Sequence, residues 1–275
     1  MMALRSTADV VASLGHVFAI FDQQDSANIS YGVRDANGQR WFVKTAGSAE
    51  VSPGGLSREE RVKLLRRDAQ LHADIAHPAL LTVHNVTETS DGIAVVYDWF
   101  DGELLNAPSE RRNHPAEAHQ RFASLPRDEI ARALDSVIEL HVALEAAGWV
   151  ANDFYDGCLM YDFAARSMKV IDFECYRRGS FVNDRGRLMG STRFMAPEEF
   201  TLGATIDSRT MVFNLARMVE IFLLARHELP AIRAITARAT TPSPAERYEL
   251  VASFYESWRQ VVMRDFPSGR RLSLG

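Results

Sequence analysis

Cysteine is nearly absent from this 275-residue chain, which has only Cys158 and Cys175. Two cysteines cannot build a disulfide framework or a C-x-x-C metal site, so stability must come from a packed core and a reducing cytoplasm is the expected setting. No apolar run is long enough to span a membrane. The longest, residues 211–225, is broken by Asn214, Arg217 and Glu220. The apolar residues 10–20 are flanked or broken by Asp9 and His16, and no small-residue cleavage site follows. Neither a signal peptide nor a membrane partner is expected. A surplus of positive charge is also missing. The net charge is −5, which argues against a nucleic-acid partner, and the pairs Arg66-Arg67, Arg111-Arg112 and Arg270-Arg271 read as solvated surface. Internal repeats and low-complexity segments are lacking too. Lysine is scarce: Lys44, Lys63 and Lys169 are all there are, and the remaining positive charge is arginine.

Hydrophobic residues make up 47% of the chain, enough for one large core or two modest ones. Residues 16–21 and 28–33 read as strands, and Asp35-Ala36-Asn37-Gly38 reads as the hairpin turn before the returning strand at Trp41-Phe42-Val43-Lys44. After the Pro53-Gly54-Gly55 breaker, Ser57-Arg58-Glu59-Glu60 opens a helix with a capping box. That helix runs to about Ala76, ahead of His77-Pro78. Apolar runs at 80–86 and 93–99 add two strands. Beyond Gly102 the period changes. Residues 127–147 place Ile130, Leu134, Val137, Ile138 and Leu144 on one face before Gly148, and further helices are expected at 207–226, 230–239 and 245–263. The expected organisation is α+β, with a small β-rich lobe over residues 1–100 and a larger, mainly helical lobe over residues 101–275.

Three segments carry chemistry. Lys44 ends an apolar strand, where a compact point charge is a specific choice in an arginine-rich chain. A loop after the long helix, Trp149 onward through Asn152-Asp153-Phe154-Tyr155-Asp156-Gly157-Cys158, offers carboxylates. Lys169-Val170-Ile171-Asp172-Phe173-Glu174 reads as a strand delivering Asp172 to a site where it can hold Mg²⁺. Phosphoryl transfer needs such parts: a cation on the phosphates, a carboxylate on the metal and another near the acceptor hydroxyl. Downstream lies Gly190-Ser191-Thr192-Arg193-Phe194-Met195-Ala196-Pro197-Glu198-Glu199, the most specific string in the chain.

In order and spacing, residues 14 to 262 resemble the eukaryotic-type Ser/Thr protein kinases, as a divergent, bacterial-like member. Lys44 matches the family's strand lysine, Asp153 the aspartate of H-R-D, Asp172 that of D-F-G, and Ala196-Pro197-Glu198 the A-P-E string. The resemblance implies a bilobal fold with ATP in the cleft between lobes. Lys44 is then on the phosphates, Asp68 in the role of the helix glutamate that orients it, Asp172 on Mg²⁺ and Asp153 on the acceptor hydroxyl. It further implies nucleotide contacts from Ile29, Phe42, Tyr97, Asp98, Phe100 and Met160, and an acceptor side near Ser191 and Thr192. Structural roles fall to Asp207, which anchors the catalytic loop, and to a Glu198–Arg247 pair.

Several positions depart from the family. Residues 22–28 stand in place of the glycine-rich loop without one glycine, and Asp22 or Asp25 would repel phosphate. Phe42 replaces a small alanine at the adenine. Ala151 and Asn152 replace His and Arg, and Tyr155 replaces a lysine. Cys158 replaces the asparagine that holds the second metal, a poor exchange because Mg²⁺ prefers oxygen, with Asp156 the nearby substitute. Glu174 replaces the glycine of D-F-G. The expected activity is Mg²⁺-assisted transfer of the γ-phosphoryl group of ATP to a protein hydroxyl. The alternatives are a pseudokinase that binds or regulates a protein partner, and a small-molecule kinase of aminoglycoside type. The Ala196-Pro197-Glu198 string and Arg247 count against the last.

Overall fold

The computed structural model describes residues 4–22, 27–47, 50–52 and 55–266. Asp25 in the stretch replacing the glycine-rich loop, Pro53-Gly54 of the breaker and the Arg270-Arg271 pair lie outside the described residues. The chain is α+β and separates into two compact units. The first comprises Met1–Ala76, Leu81–Asp101 and Asp172–Glu174; the second comprises His77–Leu80, Gly102–Ile171 and Cys175–Gly275.

In the first unit, β1 (His16–Phe21), β2 (Ile29–Arg34), β3 (Arg40–Thr45), β4 (Val83–Thr89) and β5 (Gly92–Asp98) form an antiparallel sheet in the order β1-β2-β3-β5-β4. Asp35 builds the β2–β3 turn. Its carbonyl accepts the N–H of Gly38, and its carboxylate accepts the N–H groups of Asn37 and Gln39. Helix α2 (Arg58–Asp74) starts with the capping box of Ser57 and Glu60 and ends two residues earlier than its sequence pattern suggests. On one sheet face Val62, Leu65 and Ala69 of α2 pack on Ile93, Val95 and Tyr97.

The other face is covered by a helix that the sequence reading did not assign, α1 (Thr7–Leu14). Its Val10 and Val11 pack on Val33, Val43, Ala94 and Val96, and Thr7 donates its N–H and hydroxyl to Asp91 at 2.7 and 2.8 Å. With both faces of β5 covered, the strand reads as a continuous apolar run rather than an alternating one.

In the second unit, β6 (Glu103–Leu104), α3 (Ala118–Ala123) and α4 (Arg127–Ala146) come first. Asp128 and Glu129 occupy the first turn of α4, where a helix favours negative charge, and Ile130, Leu134, Val137, Ile138, Leu140 and Leu144 are fully buried. Gly148, at φ 80°, terminates it. Next come β7 (Trp149–Val150), β8 (Leu159–Asp162) and β9 (Ser167–Val170), with β6, β8 and β9 forming one small sheet. Strands β10 (Arg177–Arg178) and β11 (Phe181–Val182) follow, and β10 pairs with β7. Strand β12 (Thr205–Ile206) pairs with β11 and leads into α5 (Ser208–Val219), which continues through a π-helical segment, Glu220–Leu224. Helices α6 (Pro230–Ala239) and α7 (Val251–Asp265) complete the unit.

The expected helix at 245–263 begins later, at Val251. Residues Pro244–Glu246 form a 3-10 turn instead, and Arg247 and Leu250 after it have extended backbone, at ψ 179° and 150°. Among the described residues no helix is long and apolar enough to cross a membrane.

Candidate active site

Lys44 lies opposite Val95 in the sheet, on the face that α2 covers. Its ammonium is 3.1 Å from Asp172 Oδ1 and 2.6 Å from Glu174 Oε1. Sequence separations of more than a hundred residues are thus closed within the first unit. Asp172 is 44% exposed, whereas Glu174 is 8% exposed. Glu174 also accepts from Asn28 Nδ2 at 3.1 and 3.3 Å. Burial alone would lower the Lys44 pKa, but Asp172, then Glu174 and Asp68, outweigh it and hold the amine well above its ordinary value. Three carboxylates face one ammonium, so its single positive charge cannot offset them all. Burial pushes Glu174 up to about 7 against the pull of Lys44, with Asp172 adding to the rise.

Asp68 acts on Lys44 through its charge, and its direct contacts are elsewhere. Its carboxylate accepts the hydroxyl of Tyr97 and, at 3.2 Å, the N–H of Phe173. His72, one turn along α2, lies 3.7 Å from the same carboxylate and packs its ring on Tyr97 and Phe173. The helix therefore fastens the Asp172-Phe173-Glu174 string to β5, and Lys44 is held by that string. The Tyr97 hydroxyl, raised by burial and by Asp68, stays protonated and donates. Phe42 lies 6.1 Å from the Tyr97 ring. The carbonyl of Ile29 accepts the hydroxyl of Thr45, Asp98 lies 2.6 Å from His84, and Phe100 is half-buried.

In the second unit, Asp153 sits in the loop after β7. Its carbonyl accepts the thiol of buried Cys158 at 3.2 Å, so that sulfur supports the loop instead of standing ready for a metal. Gly190 lies against the Asp153 carboxylate: a Cβ there would come 3.5 Å from Oδ1, and its φ of +130° disfavours any other residue. Asp156 is buried. Its carboxylate is 2.6 Å from the Arg193 guanidinium and 3.6 Å from His119. Burial raises its pKa, but the His119 bond and Arg193 more than offset this and hold it below the ordinary value. That engagement leaves Asp156 poorly placed to replace a metal-binding asparagine. Among the described residues no group of three or more His, Cys, Asp or Glu gathers as a metal cage. Met160 lies half-buried on β8, opposite Lys169. Ser191 is half-exposed and Thr192 exposed, with the Ser191 carbonyl accepting from Phe194 and Met195.

Glu198 and Arg247 form a two-pronged ion pair, at 2.6 and 3.0 Å, with Arg247 fully enclosed. Thr210 also donates to Glu198. Asp207 caps α5, and its two oxygens are taken by the N–H and the guanidinium of Arg209. This contact set serves the helix start rather than the loop at 150–158.

Four described non-glycine residues have left-handed backbone: Ala27 at φ 57°, Asp153 at 68°, Arg166 at 52° and Asp172 at 70°. Such conformations cost on the order of 1–3 kcal/mol each and concentrate at functional sites. Both aspartates singled out from the sequence are among the four. The parts that sequence reasoning did not assign are Asn28, His72 and the turn of Glu174 onto Lys44. The one available signal was an acid where the string otherwise calls for glycine. No protein-family model matches the chain.

Proposed function

We propose that this protein is an ATP-dependent phosphotransferase of the Ser/Thr protein-kinase type, with a bilobal kinase-like architecture, acting on a protein hydroxyl. The observation that carries the reading is the Lys44–Asp172 pair at 3.1 Å, a cation beside an exposed carboxylate. The left-handed backbone at both Asp153 and Asp172 supports it. Mg²⁺ typically keeps several waters and takes one or two protein carboxylates together with substrate phosphates, so Asp172 alone is a sufficient protein ligand. Cys158 and Asp156 do not fit as further ligands. ATP supplies the phosphoryl group, and Mg²⁺ offsets the charge on it. Lys44 binds the phosphates, Asp68 fixes the string that carries Asp172, and Asp153 aligns the acceptor hydroxyl.

A second reading, a binding module without transfer, has one observation in its favour. Glu174 already occupies the Lys44 amine at 2.6 Å. Transfer of label from γ-labelled ATP to a mixed protein acceptor separates the two. The phosphotransfer reading expects measurable transfer that falls by about 10²-fold or more in Asp153→Asn. Transfer that is absent in the wild type favours the module, and transfer that is unchanged in the variant removes Asp153 from its assigned role.

A further inference from the structure

Between residues 177 and 193 the chain carries Arg177, Arg178, Arg185, Arg187 and Arg193 against a single acid, Asp184, although its overall net charge is −5. Arg193 is engaged by Asp156. Arg185 and Arg187 are exposed, and neither has a carboxylate partner among the described residues. Arg187 instead donates to the carbonyls of Leu188 and Gly190, at 3.2 and 3.1 Å. This places it one residue away from the Asp153 carboxylate that Gly190 adjoins.

Backbone bonds join these arginines to an apolar surface. Phe181 and Val182 pair with Ile206 and Thr205. Asn183 exchanges bonds of 2.8 Å with Ala204 and Gly203, and the Leu188 N–H reaches the Glu199 carbonyl at 2.9 Å. Residues 181–188 are thereby fixed against 198–206. The surface exposes Val182 (56%), Phe200 (42%) and Leu202 (69%), the last being the most exposed large apolar side chain among the described residues. The Arg187 guanidinium lies 5.8 Å from the centre of the Phe200 ring.

We infer that this surface binds an acidic segment of a partner polypeptide, its carboxylates on Arg185 and Arg187 and an apolar side chain on Phe200 and Leu202. The same segment offers its hydroxyl to Asp153; that second statement rests on the phosphotransfer reading, while the docking itself does not. The guanidinium fork matches a carboxylate in two prongs, and charge complementarity selects partners more than it adds affinity. Two exposed arginines on an acidic chain make a small footprint for nucleic acid, which rewards many phosphate contacts at once.

The test uses fluorescence anisotropy on the full chain with short labelled peptides that share a Ser and a Leu and carry Glu, Gln or Lys at the other positions, beside a single-stranded oligonucleotide. The Glu peptide is expected to bind roughly tenfold more tightly than the Gln peptide, with the advantage shrinking as salt is raised. Arg185→Glu with Arg187→Glu should abolish that advantage and shift preference to the Lys peptide. Arg185→Glu alone, which breaks no backbone contact of Arg187, should move in the same direction. Equal binding of Glu and Gln peptides, unchanged preference in the variants, tighter binding of the oligonucleotide, or self-association that the variants remove while the peptides stay unbound would each overturn the inference. Label transfer is followed on the same peptides. Glu-peptide binding without transfer retains the docking site and removes the phosphotransfer reading. Transfer at equal kcat/KM to Glu and Gln peptides does the reverse.

Discussion

Glu174 holds the amine that phosphates would need, and its surroundings decide when it lets go. Facing it are Lys44, Asp172 and Asp68, while the Arg67 guanidinium reaches its backbone carbonyl at 3.4 Å. A carboxylate raised from 4.5 to about 7 on folding favours the native state fully below pH 4.5. That contribution is lost as pH rises through about 7. Glu174→Gln should therefore flatten the fall in stability across this window, as read from denaturant midpoints at successive pH values. On the phosphotransfer reading, the wild type binds nucleotide more weakly as pH rises past 7, when the ionised carboxylate competes for Lys44. In Glu174→Gln that difference in slope disappears and affinity at pH 8 rises roughly tenfold. Weaker binding by the variant would show that Glu174 helps to hold the nucleotide rather than excluding it. The charge of Glu174 was plain from the sequence. Its direction was not, because nothing local reveals that Asn28, just ahead of β2, donates to it.

Among the elements, the short helical turn Pro197–Phe200, α5 and the turn before α7 are tied together by Glu198 and Arg247. Removing one member strands the other charge in a dry site, so Arg247→Ala should cost about 3–5 kcal/mol and lower Tm by roughly 10 °C. The double change Glu198→Ala with Arg247→Ala should cost less than the two single changes summed, because no orphaned charge remains. Calorimetry on the three variants checks this. The pair could be read from two strings far apart in sequence, each unusual enough to recognise. Helix α1 was harder to read. Its apolar residues run on through Gly15 into β1, and its binding face becomes evident only once β3 and β5 are known to be covered on both sides. The late start of α7 was hidden for a related reason: Arg247 has extended backbone while its side chain is paired with the distant Glu198, a tertiary contact that local propensity does not reveal.

For the whole molecule, each compact unit includes a short segment from the stretch of chain that mainly builds the other, 172–174 in the first and 77–80 in the second. A change of period near residue 100 is visible in the sequence, but such exchanges are not, since three or four residues carry no periodicity of their own. The exchange matters chemically because residues 172–174 bring Lys44 both of its ion-pair partners. The most direct test of the account is calorimetric titration of Mg·ATP into the full chain, with Lys44→Met alongside and circular dichroism verifying that both are folded. Saturable binding by the wild type, weakened at least about tenfold in Lys44→Met, is the predicted result. A wild type that takes up no nucleotide, or a Lys44→Met variant that binds it equally well, would contradict the assignment of Lys44 to the phosphates.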